Sequence, residues 1–272
     1  MARTQSGESV LTRAVRIFEA FTPDEPVLSV SEIARRVPLH IATASRLIGE
    51  LVRHGLLARQ PDGRVRIGVR FWELAQRASP TLTLRDAAMP FLEDLHGVIG
   101  HHVQLGVLDG DHALFVERLT APGAVVNYTR IAGRLNLHAS SSGLVLLAHG
   151  PAELQERILA GPLPSYTPNT ITAPDRLRGT LAEIRKAGFA LCAGHIHPDA
   201  TGVAVPVRGA DGHNGTDSQV VAALSAIVPN DGNAYQQVPV LMAAARGITR
   251  TLAAARVPSP PHRRGSASSL NG

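Results

Sequence analysis

Three consecutive serines followed by a glycine, from Ser140 to Gly143, have the clearest site chemistry in the sequence. The apolar residues 144–148 that follow them predict a short helix, which would gather the serine hydroxyls and unpaired backbone amides at its amino terminus. Such a terminus attracts a carboxylate or another anion, because the amides and the helix dipole both favour negative charge. A second interpretation stays open at this point, in which the serines only cap the helix.

A second group with ligand chemistry consists of Cys192, His195 and His197, with His138 or His101 as further candidates. Thiolate and imidazole are the ligands that zinc prefers, so a divalent metal is conceivable here. The spacing departs from that of established zinc motifs. Ordinary loop histidines with hydrogen-bonded rings are therefore the favoured interpretation, and no metal site is assigned.

Catalytic motifs are missing from the sequence. Ser141 has no glycine two residues before it, and there is no H-E-x-x-H, P-loop or G-x-G-x-x-G motif. Lys186 is the only lysine and Cys192 the only cysteine, which leaves Schiff-base and thiol chemistry almost without candidates. We expect no enzymatic activity and no cofactor, with a small-molecule hydrolase or a metal-binding sensor as the alternatives.

Arginines are concentrated between residues 31 and 80. This window holds nine arginines against four acidic residues, so it carries a net charge of +5, which is also the charge of the whole 272-residue chain. A local basic excess suits a polyanion, because phosphates are held by long-range attraction and counterion release. Charge alone leaves a solvated, arginine-rich surface open as the alternative.

The same part of the chain has the pattern of a helix-turn-helix. Apolar spacing predicts a first helix over 9–21, and Ser29 with Glu32 forms a capping-box pattern for a short second helix. After the connection 38–41, a third helix carries small polar residues and arginine on its exposed side and ends at Gly55. Two short helices with this separation predict a DNA-binding motif.

A predicted β-hairpin follows these helices. Residues 56–59 and 64–67 have strand character, and Asp62 and Gly63 are expected to supply the positive φ angles of a tight turn. An all-helical packing module without a DNA role is the alternative, which the hairpin and the charge both disfavour. The side chains expected to meet base edges, phosphates or the minor groove are Thr43, Ser45, Arg46, Arg53, Arg59, Arg64 and Arg66.

Several longer stretches carry a family resemblance. They include SVSEIARRV (29–37), TASRLIGELVRHGLL (43–57), DGRVRIG (62–68), GRLNLHASSSG (133–143) and VAVPV (203–207). In this order they resemble the IclR (isocitrate-lyase-regulator type) transcriptional regulators, from residue 9 to about residue 255. The resemblance implies an amino-terminal winged helix on double-stranded operator DNA and a carboxy-terminal GAF/profilin-like domain for a small-molecule effector. It also implies a homodimer or tetramer that most often represses its genes.

The resemblance also implies an effector site. Members that bind small keto acids combine the serine loop with an aspartate, a cysteine and two serines, where this chain has Cys192, Gly202, Ser225 and Ile227. Only Ser225 agrees. A site with fewer polar groups favours a larger or more apolar ligand, such as an aromatic acid. The expected effector-binding residues are Ser140, Ser141, Ser142, Gly143, Cys192, Gly202 and Ser225.

The predicted fold class is α+β, with a five- or six-stranded antiparallel sheet and flanking helices in the carboxy-terminal part. Residues 125–131 are expected to form a strand and 133–143 a loop, and a long polar loop is predicted over 208–218. The predicted boundaries are a disordered start (1–8), a winged helix-turn-helix (9–68), a linker helix (69–80), an effector-binding domain (81–257) and a disordered tail (258–272).

The sequence also indicates a compartment. The start MARTQSGESV lacks the basic and then apolar run of a secretory signal, and a single cysteine rules out a disulfide framework. No apolar run approaches the roughly 18 residues of a membrane helix. We therefore expect a cytoplasmic protein without a membrane partner.

Overall fold

The computed structural model describes residues 8–78, 80–209 and 219–255. Contacts divide the chain into two compact units, with the boundary between Leu82 and Thr83. Apart from Glu8, the predicted disordered ends lie outside the described residues, as does most of the predicted polar loop 208–218. No helix in the described part of the chain has both the length and the apolarity to cross a bilayer.

The first unit combines helices with a small antiparallel sheet of strand order β1-β3-β2. The three predicted helices and the hairpin are present, whereas the short first strand was not predicted. In chain order the elements are α1 (Val10–Glu19), β1 (Val27–Leu28), α2 (Val30–Arg36), α3 (Ile41–Arg53), β2 (Leu57–Arg59), β3 (Val65–Ile67) and α4 (Arg70–Ala78).

Local hydrogen bonds fix where the helices of the first unit begin. The Glu32 amide donates to Ser29 Oγ at 3.2 Å and the Ser29 amide to Glu32 Oε2 at 2.7 Å, which is the predicted capping box of α2. The helix α3 is capped by His40, whose Nδ1 accepts from the Ala42 amide at 3.3 Å. Apolar side chains, including the fully buried Ile48, form the core between these helices.

The hairpin turn differs in detail from its prediction. Gly63 alone has a positive φ, of 82°, and Asp62 instead accepts the Arg64 amide on Oδ1 at 3.0 Å. The turn is therefore longer than a two-residue loop, since the Gln60 amide still pairs with the Arg64 carbonyl at 2.8 Å. The two predicted strands are present as β2 and β3, and together with this turn they are called the wing below.

The second unit is built on a six-stranded antiparallel sheet of order β6-β5-β4-β9-β8-β7. The α+β fold class and the number of strands agree with the prediction, while the last helix was not predicted. The elements are α5 (Pro80–Ile99), β4 (His102–Asp109), β5 (His112–Leu119), β6 (Arg134–Asn136), α6 (Ser141–Ala148), α7 (Ala152–Ala160), α8 (Pro174–Ala187), β7 (Ala190–Ala193), β8 (Ala200–Arg208), β9 (Val220–Pro229) and α9 (Val238–Ala255).

Helices cover both faces of this sheet. Side chains of α5 and α9 form one core with alternate residues of the central strands, such as Val203 and Val205. The intervening residue, Ala204, points to the other face and belongs to the core made with α6, α7 and α8. All eight residues of α6 are buried, which explains why its sequence is apolar on every side.

The predicted strand over 125–131 is wrong. These residues form no strand, and the third strand of this region is the short β6 within the predicted loop. Side chains hold the backbone of the segment instead: the His102 ring bonds the Val125 carbonyl at 2.6 Å, and Arg118 Nη1 donates to the Thr129 carbonyl. Residues with strand propensity form a strand only when a neighbouring strand pairs with their backbone. Here the backbone carbonyls of Val125 and Thr129 pair with side chains.

Candidate nucleic-acid interface and ligand cavity

The exposed side of α3 carries the residues predicted to read bases. Ala44, Leu47 and Ile48 are buried, and Ser45 and Arg46 are exposed on the opposite side of the helix. Arg46 has no hydrogen bond or ion pair with any residue that the structure describes. A helix of this width fits the major groove of duplex DNA, and a guanidinium at its outer side can donate two hydrogen bonds to guanine.

The other predicted arginines fall into two groups. Arg53 pairs with Glu50, Arg59 donates to the Gly63 carbonyl at 2.9 Å, and Arg64 donates to the Val27 carbonyl at 2.7 Å. These three guanidinium groups already support α3 and the wing. Arg66, also exposed, has no such partner among the described residues. Arg66 is therefore the wing arginine best placed to hold a phosphate.

The second unit contains a cavity on the α6 side of the sheet, whose empty space of about 440 Å³ includes solvent at its open mouth. The cavity lies under the segment that replaces the predicted strand, and its polar lining residues come from four different parts of the chain. Its lining consists of Gln104, Val126, Asn127, Tyr128, Thr129, Leu135, Ala139, Ser140, Ser141, Cys192, His195, Ile196, His197, Ala200, Gly202 and Ile227.

The amino terminus of α6 lies at this cavity, as the serine run predicts. Ser140 caps the helix, since its Oγ accepts the Gly143 amide at 3.1 Å. The amides of Ser141 and Ser142 have no partner among the described residues. Both interpretations of the serine run are therefore represented: Ser140 caps the helix, and together with Ser141 it also lines the cavity.

Gly202 lets the amino terminus of α6 approach strand β8 closely. A Cβ atom at this position would lie 2.7 Å from Ser141 Oγ and 3.4 Å from Ile227 Cδ1. Gly202 pairs with Cys192 on one neighbouring strand and with Ile227 on the other, and the three residues form a row that lines the cavity. The absence of a side chain in the middle of this row leaves room for Ser141 at the cavity wall.

Ser142, Gly143 and Ser225 are not among the residues that line the cavity. The Ser142 hydroxyl donates to Ser225 Oγ at 2.8 Å, and both side chains are almost completely buried. The structure places these two hydroxyls against each other and away from the cavity wall, and the expected contact of the two residues with an effector stays a prediction. Their bond joins α6 to β9. A Cβ on Gly143 would collide with the Leu137 backbone at 2.5 Å, so this glycine serves close packing.

We expect the Ser142–Ser225 bond to stabilise the second unit. Either Ser142→Ala or Ser225→Ala should lower the free energy of unfolding by about 1–2 kcal/mol, because one buried hydroxyl loses its partner. The double variant should lose about 1 kcal/mol less than the sum of the single losses. Urea unfolding followed by circular dichroism measures these values, with the exposed Ser45→Ala as the control. Strictly additive losses would contradict the role assigned to this bond.

The possible metal ligands do not form a metal site. The described residues contain no group of three or more His, Cys, Asp or Glu side chains placed to share an ion. Burial raises the pKa of the Cys192 thiol to about 12, which opposes the thiolate that zinc requires. His197 Nδ1 already accepts the Asp199 amide at 3.2 Å. Burial is also the main cause that lowers the pKa of His195, so this ring is neutral near pH 7.

The polar residues of the segment over the cavity are the part of the site that sequence reasoning missed. Gln104 lines the cavity together with Asn127 and Thr129, although it lies more than twenty residues before them in the sequence. Thr129 Oγ1 donates to Gln104 Oε1 at 2.6 Å, and Asn127 Nδ2 donates to the same oxygen at 3.3 Å. The one signal available in the sequence was the pair of polar residues Asn127 and Thr129 within an apparent strand. This pair did not indicate where its side chains would point.

Comparisons with known proteins match both units. The model of the IclR helix-turn-helix domain matches residues 10–61, and that of the bacterial transcriptional regulator IclR C-terminal domain matches residues 76–251. Among curated relatives, the HTH-type transcriptional regulator XynR of Escherichia coli (strain K12) is 30% identical over 215 residues, which cover 78% of this chain and 83% of XynR.

Solved structures agree with this result. An IclR homolog from Microbacterium hydrocarbonoxydans, complexed with 4-hydroxybenzoate, is 44% identical with a TM-score of 0.85 and covers 90% of this chain and 100% of that chain. An IclR homolog from Microbacterium sp. strain HM58-2 is 42% identical with a TM-score of 0.60, and the match covers 92% of this chain and 100% of that chain. The relatives are named as regulators of transcription rather than as enzymes. This chain belongs to the IclR family of DNA-binding transcriptional regulators.

Proposed function

We propose that this regulator is a repressor controlled by an aromatic acid that binds in the cavity of the second unit. The observation that carries the proposal is the chemistry of the cavity wall, which combines apolar side chains with a helix amino terminus. No arginine or lysine is found among the described residues that line it. Such a wall favours a flat apolar body with one anionic end.

The anionic end of the ligand is assigned to the start of α6. The free amides of Ser141 and Ser142 lie there, and the positive end of the helix dipole favours a carboxylate. Ser141 Oγ has no hydrogen-bond partner among the described residues and offers a further donor. The 4-hydroxybenzoate in the Microbacterium hydrocarbonoxydans relative supports the choice of an aromatic acid.

We also propose that the DNA-bound form is a homodimer. The helices α1 and α4 pack through Phe18 and Phe71, whose ring centroids are 4.6 Å apart. Beside this contact, Leu11 is 73% exposed and Trp72 is 64% exposed, and other apolar side chains of both helices are exposed as well. A second copy of the chain covering this apolar surface would place two α3 helices for two half-sites.

The proposed control is a shift between two populations of the dimer. Ligand binding would favour the arrangement in which the two α3 helices fit the operator less well, with residues 69–80 as the predicted connection. Thr43, Ser45 and Arg46 would read bases, and Arg66 with the other predicted arginines would hold phosphates. Since its target is chromosomal DNA, the protein would act in the cytoplasm.

The proposal is tested with the purified full chain and genomic DNA of its own organism. Bound fragments are selected, and their affinity is measured by fluorescence anisotropy at low ionic strength, with and without 4-hydroxybenzoate. We expect binding to a small set of fragments that weakens at least about tenfold with the aromatic acid, and no such effect with pyruvate. Absence of binding to any duplex under both conditions would refute the DNA-binding role. Binding that ignores every aromatic acid would refute the proposed effector class.

A further inference from the structure

We infer that Gln104 recognises a hydrogen-bonding substituent on the ligand at the position opposite its carboxylate. This inference rests on the proposed binding of an aromatic acid in the cavity and adds the ligand feature that the cavity selects. The argument starts from Gln104 itself, an amide side chain that is 1% exposed and lines the cavity from β4.

The hydrogen bonds of this side chain use only one of its two polar atoms. Oε1 accepts from the Thr129 hydroxyl and from Asn127 Nδ2, and these contacts hold the segment over the cavity. The hydrogen bonds of the Gln104 side chain to described residues all involve Oε1, and none involves the amide nitrogen Nε2. Because this side chain lines the cavity, an acceptor atom on the ligand would give Nε2 a partner.

The distance between this donor and the helix terminus suits a ligand with two polar ends. Ser141 lies over Gly202 on β8, and Gln104 lies on β4, with β9 between these two strands. Two strand spacings correspond to about 10 Å between the backbones. A ligand that reaches both places is therefore expected to carry polar groups at opposite ends of its body, as a benzene ring with substituents at its 1 and 4 positions does.

Apolar side chains line the cavity as well. Ile227, on the strand between β4 and β8, lines it between these two ends, and Leu135 lines it from β6, on the other side of β4. Neither can form a hydrogen bond with the ring of a ligand, and both can pack against it. The polar atoms of the ligand are therefore expected at its two ends, with the carboxylate at α6 and an acceptor such as a hydroxyl oxygen at Gln104.

The test compares 4-hydroxybenzoate with 4-methylbenzoate, which has a similar shape and no acceptor on its substituent. Calorimetric titration of the full-length protein should give at least about tenfold tighter binding of 4-hydroxybenzoate. The Gln104→Met variant keeps the length of the side chain and loses the donor, so its preference should fall below about threefold.

Thr129→Val is the matched control. This variant removes a bond to Gln104 Oε1 and leaves Nε2 in place, so the preference for 4-hydroxybenzoate should persist even if both ligands bind more weakly. Equal affinities of the two acids for the unmodified protein would overturn the role of Gln104 while the proposed effector class stands. A preference that survives in Gln104→Met would overturn it as well. Failure of both acids to bind the unmodified protein would refute the effector class and this inference together.

Discussion

Gly202→Val is expected to weaken binding of an aromatic acid at least about a hundredfold while operator binding without ligand is retained. The valine side chain would extend from a Cβ that already lies 2.7 Å from Ser141 Oγ, so its methyl groups would fill the space beside the α6 terminus. Valine is well tolerated in a central strand such as β8, and the sheet is expected to remain folded. Under the proposed repressor mechanism, the protein would then stay on its operator whatever the ligand concentration.

Two further variants separate this effect from general damage. Gly202→Ala adds only the Cβ, and rotation of the Ser141 side chain can relieve the contact, so a milder loss of about tenfold is expected. Gly179→Ala, in α8, has nothing within 4 Å of the added atom and should leave ligand affinity unchanged. Calorimetric titration gives the ligand affinities and fluorescence anisotropy gives operator affinity. Normal ligand binding by Gly202→Val would show that the ligand lies elsewhere.

Arg46→Ala is expected to reduce affinity for the selected operator by about 1–3 kcal/mol, which is about 5-fold to 150-fold, and to relax the base preference at one position. The reason is the position of this guanidinium, exposed on α3 and without a partner among the described residues. It can meet a base edge without first breaking a contact within the protein.

Arg66→Ala is the matched control for a phosphate contact. It should weaken binding to all duplexes to a similar extent and reduce the salt dependence of binding by about one unit, with base preference unchanged. Arg66 is a better control than Arg64, because Arg64 also bonds the Val27 carbonyl and its loss would loosen β1. Anisotropy titrations over a series of salt concentrations and operator variants distinguish the two outcomes. An Arg46→Ala protein with intact operator selection would show that other residues read the bases.

The parts of the structure that depend only on residues close together in sequence could be predicted. The capping box of Ser29 and Glu32 involves residues three apart, and the apolar spacing that buries Leu47 and Ile48 repeats within a single helix. The serine run before α6 belongs to the same category, because a cap and a free helix terminus are both local properties.

The parts that could not be predicted depend on partners far away in sequence. Ser142 and Ser225 are 83 residues apart, and only the fold shows that their hydroxyls bond each other. The Val125 carbonyl bonds the His102 ring and not a neighbouring strand, so strand propensity alone predicted the wrong structure for residues 125–131. Gln104 lines the cavity together with residues of the same segment, to which it is hydrogen-bonded. A single glutamine in a strand does not indicate this role in the sequence.

The exposed position of Trp72 on α4 has a practical consequence. It is the only tryptophan in the 272 residues, and 64% of it is exposed. Excitation selective for indole therefore reports on the surroundings of this one helix. Association of two copies through α4 would move the indole from water into an apolar environment and shift its emission to shorter wavelength. The unmodified protein thus carries its own optical probe of assembly, with no dye attached.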